Sequence, residues 1–137
     1  MRHLTLGAVQ IGLAIVVAAS MGACGAIHAK TPFARSAGDA AATLAAAQAT
    51  LDAEHGGNLS LQYANATFVN YREALDGVVE ELPTLQGAPQ DAVELAASLE
   101  RAIRIVNQPC LSDDCDWAAQ ADTLETVATA LREAAES

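Results

Sequence analysis

Residues 61–82 read LQYANATFVNYREALDGVVEEL. The apolar side chains Leu61, Ala64, Phe68, Tyr71, Leu75, Val78 and Leu82 follow one another at alternating steps of three and four. That spacing places all seven on one face of an α-helix and predicts an amphipathic helix with a single buried stripe. Pro83 then halts it, because proline lacks the backbone donor that a helix interior needs.

The same periodicity extends in both directions. Upstream, Ala40, Leu44, Ala47 and Leu51 recur at four–three–four spacing, and His55-Gly56-Gly57 supplies a glycine stop. Ser36, with Asp39 three residues on, resembles a capping box opening this first helix. Downstream, Pro89 suits the first position of a third helix, whose stripe is Ala92, Leu95, Leu99, Ala102 and Val106 with Ile103 beside it. A fourth helix starts between Ser112 and Asp116 and carries Trp117, Ala121, Leu124, Ala128, Leu131 and Ala135 on one face. No segment alternates with the two-residue period of a strand. Four amphipathic helices with short connections predict an all-α fold, an antiparallel up-down-up-down four-helix bundle over residues 36–137. The first helix is mostly alanine, which favours helix but buries little area. It is therefore expected to dock least firmly, and a three-helix bundle with a loose first helix is the alternative.

The N-terminus has a different character. Arg2 and His3 precede a stretch from Leu4 to Ile27 without a charged residue, and small residues crowd its far end. This is the order of a bacterial export signal. Within it Met21-Gly22-Ala23-Cys24 resembles the lipobox of bacterial lipoproteins, with Met21 where leucine is usual. The resemblance implies a signal peptide over residues 1–23 and acylation of Cys24, palmitate included. It also implies a lipid-anchored protein on the cell membrane or outer membrane, facing the periplasm or the exterior. Two other readings stay open: a cut after Ala29 that releases the protein, and an uncut anchor, for which roughly 20 apolar residues suffice. Residues 24–35 then form a tether, reaching about 35–40 Å when extended.

Charge narrows the partners. All seventeen carboxylates follow the leader, and from Ser36 onward only Arg72, Arg101, Arg104 and Arg132 oppose them, a net charge of −13. Such a surface repels phosphates, so nucleic acid is excluded as a partner. A membrane must be held through a covalent or spanning anchor rather than by basic residues.

The chemical groupings are few. Cys110 and Cys115 remain as an even pair once Cys24 is lipidated or removed. A disulfide between them closes a small loop and contributes roughly 2 kcal/mol in the chain-entropy model. Asp113, Asp114 and Asp116 beside it lack the spacing of a calcium loop and read as helix-capping residues. No nucleophile–base pair, phosphate loop or haem motif is recognisable, and no metal or cofactor is expected. Tyr71 and Trp117 are candidate walls of a small-molecule cleft between the second and fourth helices, and Arg101 with Arg104 a candidate clamp for an anion. The expected function is a non-enzymatic envelope lipoprotein, a helical binding or assembly module for an envelope protein partner. The alternative is a secreted or anchored carrier of a small ligand or cation.

Overall fold

A computed structural model describes residues 31–137; the signal, the lipobox and Cys24 lie outside the described residues. Five α-helices follow in order: α1 (Pro32–His55), α2 (Leu61–Leu75), the single turn α3 (Val78–Glu81), α4 (Ala92–Asn107) and α5 (Trp117–Glu136). A 3₁₀ turn, Leu82–Thr84, continues α3. Among the described residues there is no strand, and the four long helices form a helical bundle. No helix among these residues is long and apolar enough to cross a membrane.

α1 begins earlier than the capping-box reading placed it. Thr31 is the N-cap, its hydroxyl accepting from the Ala34 N–H at 3.1 Å, and Pro32 occupies the first turn. Proline fits there because its missing donor would go unused. Residues 32–35 thus belong to the helix and not to a tether, and Phe33 is 1% exposed. The Phe33 N–H, one of the donors that a helix start leaves over, reaches the Gln86 carbonyl at 3.1 Å. Ser36 and Asp39 lie inside the helix.

The end of α1 matches the glycine stop. Gly57 has φ +78°, the Asn58 N–H bonds to the Ala53 carbonyl at 2.8 Å, and the Gly57 N–H bonds to that of Glu54 at 3.1 Å. This pair of reversed bonds is a Schellman motif, which needs a left-handed residue. Nothing crowds the Gly57 Cα. Gly57→Ala is therefore expected to cost about 1 kcal/mol from the backbone alone, measurable as a shift of the urea midpoint at constant slope.

The loose first helix is not found. α1 buries Phe33, Ala37, Ala40, Ala41, Leu44, Ala47, Thr50 and Leu51, and makes its most extensive contact with α5. Small side chains are the cause. Alanine lets two helix axes approach closely, so that backbone and Cβ atoms of α1 meet Ala128 and Ala135 in the same core. Summed over a helix of this length, many short contacts replace a few large ones, and Leu44, Leu51 and Phe33 fill the remaining space.

The second helix is shorter than its stripe. α2 stops at Leu75, Asp76 is extended and Gly77 takes φ +78°, and the chain resumes as α3. Leu75 and Leu82 still reach the core, yet Leu61 is 51% exposed. The three–four spacing persists across the break because both pieces face the same core, so periodicity alone does not reveal the interruption. α4 starts at Ala92, with Pro89 in the preceding turn and not in the helix. Its stripe of Ala92, Leu95, Leu99, Ala102 and Val106 is buried throughout. α5 is capped by Asp116, whose Oδ1 accepts from the Ala119 N–H at 3.0 Å.

Candidate functional site

Cys110 and Cys115 form a disulfide between α4 and α5, with Cα atoms 5.8 Å apart. The loop is fastened on both sides. The Cys110 N–H donates to Gln120 Oε1 at 2.7 Å, and Gln120 Nε2 donates to the Gln108 carbonyl at 3.3 Å. On the other side stands His55, the last residue of α1. Its Nε2 lies 2.8 Å from the Cys110 carbonyl, which can only accept, so Nε2 carries a proton. The ring stacks on Trp117 at 4.5 Å between centroids and 10° between planes. The same nitrogen is 3.4 Å from Glu54 Oε2, a buried oxygen with no hydrogen-bond partner of its own.

His55 thus joins three elements, and sequence reasoning passed over it. Its signal was faint: a histidine at a helix C-terminus, where the dipole favours a donor or cation, followed by the glycine stop. His55→Ala removes a stacked pair, leaves the Cys110 carbonyl without this donor and strips Glu54 of its neighbour. It is expected to cost about 2 kcal/mol, with part of the loss recovered by adding Glu54→Gln, as read by denaturant unfolding. Reduction of the disulfide should cost about 2 kcal/mol by loop entropy while far-ultraviolet circular dichroism stays helical, since no core helix depends on it.

Tyr71 and Trp117 both turn to α1, at different places. The Tyr71 hydroxyl lies 2.8 Å from Thr50 Oγ1 and 3.3 Å from the Ala46 carbonyl, and its ring meets Phe68 edge-on at 5.4 Å. Thr50 in turn donates to the Ala46 carbonyl at 2.9 Å. Trp117 stacks on His55, at the C-terminal end of α1.

Arg101 and Arg104 line different depressions. Arg101 donates to Ser98 Oγ at 3.0 Å and borders a shallow hollow of about 300 Å³ beside Asp122 and Thr126 of α5. Arg104 lines a larger open groove of about 540 Å³ shared by α2, α3 and α4. Its companion there is Arg72, which sequence reasoning had not singled out; Arg72 Nε donates to the Val106 carbonyl at 3.1 Å and ties α2 to the end of α4. Glu73, Asp76, Glu80 and Glu100 line the same groove, and neither arginine forms an ion pair with them among the described residues. Asp113 and Asp114 are exposed, Asp116 is used as the cap, and no group of three or more metal-binding side chains converges among the described residues.

One surface stands apart electrically. From Leu61 to Tyr71 there is no charged residue. α2 packs on α1 and α4, and its outer half presents Tyr63 at 61% exposure and Val69 at 44%, while Leu61, in register with the buried stripe, is exposed at the first turn. Gln62, Asn65, Ala66 and Asn70 are exposed around them. No protein-family model, curated protein or solved structure matches the chain.

Proposed function

We propose that the chain is an exported, non-enzymatic envelope lipoprotein, anchored through an acylated Cys24, whose helical domain binds an envelope protein. The observation that carries the binding half is the neutral outer side of α2. In a domain of net charge −12 over residues 31–137, an uncharged helix surface with exposed Tyr63 and Val69 is the place where a protein surface docks with least desolvation of charge. Exposed aromatic side chains such as Tyr63 are common anchors of such interfaces. The anchoring half rests on the lipobox-like Met21-Gly22-Ala23-Cys24. The four long helices are proposed to alternate up and down. Supporting this, Gly38 near the start of α1 faces Ala135 near the end of α5, and His55 at the end of α1 stacks on Trp117 at the start of α5.

A photo-crosslinking residue placed at Tyr63 in the envelope of the producing cell tests the binding half. A discrete adduct, lost on Val69→Glu, is expected. Absence of adducts at both Tyr63 and Val69 overturns it. Intact-mass analysis tests the anchor, with a diacylglyceryl increment on Cys24 expected and a chain beginning at Lys30 overturning it. The groove holding Arg72 and Arg104 supports the second reading, a small-ligand carrier. Titration calorimetry with dicarboxylates and divalent cations removes that reading if no heat is seen.

A further inference from the structure

We propose that the groove between α2, α3 and α4 receives lysine or arginine side chains of the protein partner, so that the partner's docking face is basic along this edge. The inference rests on the docking surface proposed above and names the chemistry of what covers it.

The groove adjoins that surface. Val69, 44% exposed, stands one helical turn before Glu73, which lines the groove, and residues four apart on a helix are surface neighbours. Asp76 and Gly77, where α2 ends and the chain turns, lie along the groove as well. A partner resting on Val69 therefore meets the groove next.

Charge selects what enters. Glu73 and Asp76 come from the end of α2, Glu80 from α3 and Glu100 from α4, and all four are exposed. None of them makes an ion pair or a side-chain hydrogen bond among the described residues. The two arginines of the groove are engaged elsewhere. Arg72 lies in the last turn of α2 and Arg104 in the last turn of α4, where unpaired carbonyls gather partial negative charge that a cation balances. Arg72 Nε is also given to the Val106 carbonyl. Four carboxylates against two guanidiniums leave the groove negative, in a domain already at −12 over residues 31–137.

The lining narrows the cation further. Val79 and Ile103 are half-buried apolar members of it. Lysine and arginine lay their methylene stems along apolar surface and carry the charge at the tip. A groove of about 540 Å³ with apolar walls and separated carboxylates suits such side chains better than a bare metal ion. No group of three or more metal-binding side chains converges among the described residues. A neutral contact at Tyr63 and Val69 with a charged edge beside it is also the usual layout of an interface, whose rim charges steer the approach and fix the register.

The test follows the photo-crosslinked adduct formed from Tyr63 in the envelope of the producing cell. One variant combines Glu73→Gln, Glu80→Gln and Glu100→Gln; the other combines Glu125→Gln, Glu133→Gln and Glu136→Gln on α5. Both lose the same charge, so the long-range field of the domain changes equally. All six side chains are exposed, and both variants should keep the urea midpoint of the parent. A fall of about tenfold or more in adduct yield is expected for the groove variant, and a change within about twofold for the α5 variant. The joined partner segment should carry lysine or arginine within about two helical turns of the joined residue. Equal yields from the two variants, a partner segment without a basic residue there, or an adduct of twice the chain's mass overturns the groove inference and leaves the docking surface standing. No adduct at either Tyr63 or Val69 of the otherwise unaltered chain overturns both together.

Discussion

Phe33→Ala is expected to lower the unfolding free energy by about 3–5 kcal/mol, the largest loss from any single truncation near the start of the described chain. The ring is 1% exposed and belongs to the main core with Leu82, Leu85 and α5 residues. Removing it leaves a cavity where the first turn of α1 meets the 3₁₀ turn, a junction also tied by the Phe33 N–H to the Gln86 carbonyl and so slow to collapse into the space. Phe33→Leu, which keeps most of the volume, should cost much less, and Arg35→Ala, at an exposed position, should stay within about 0.5 kcal/mol. Denaturant unfolding of the three variants checks the claim. A loss below about 0.5 kcal/mol for Phe33→Ala, the size of an ordinary surface change, would return residues 32–35 to the tether.

The second large effect is at Gly87. Its φ is +91°, and a Cβ built there would lie on the Oγ1 and Cβ of Thr31 and within 2.7 Å of its Cγ2. Gly87→Ala combines about 1–2 kcal/mol of left-handed strain with displacement of the residue that caps α1, worth about 1 kcal/mol. A total near 3 kcal/mol is expected, against about 1 for Gly57→Ala, where the φ is similar but the space is open. Pairing Gly87→Ala with Thr31→Gly separates the two costs. The steric part should vanish in the double variant and the backbone part should remain. Equal losses at positions 57 and 87 would remove Thr31 from the account.

How far the sequence reveals this molecule depends on how local each interaction is. The stripe of α4 is legible because one helix face meets the core along its whole length, and burial follows directly from spacing. The glycine stop after His55 and the acidic cap at Asp116 are legible for the same reason: each involves neighbours in the chain. The rank of α1 is not. Alanine looks weak when residues are scored one by one, and its advantage, close approach of two helices, exists only in the pair. The break at Gly77 is hidden because both sides keep the same register. Thr31 and Pro32 read as the end of a tether until Phe33 is seen to be core, after which they are an ordinary cap and first turn. The cluster of His55, Trp117 and Cys110 is assembled from three distant segments. Tyr71 and Trp117 were legible as aromatic residues needing partners, while the partners themselves, Thr50 and His55, come from a helix whose central place was not foreseen.

The pairing of α1 with α5 also bears on the order of assembly. The first long helix of the domain finds its main neighbour in the last. Until residues 117–136 have left the ribosome, α1 lacks its main neighbour and has only α2 and the 3₁₀ turn to pack on, and a helix of alanine and leucine with little to pack on is only marginally stable in water. Contacts so distant along the chain form late and slow the closing step. A growing polypeptide one helix short should therefore remain open and accessible to whatever handles unfolded chains, and commit to its final form in a single cooperative event once synthesis has passed α5.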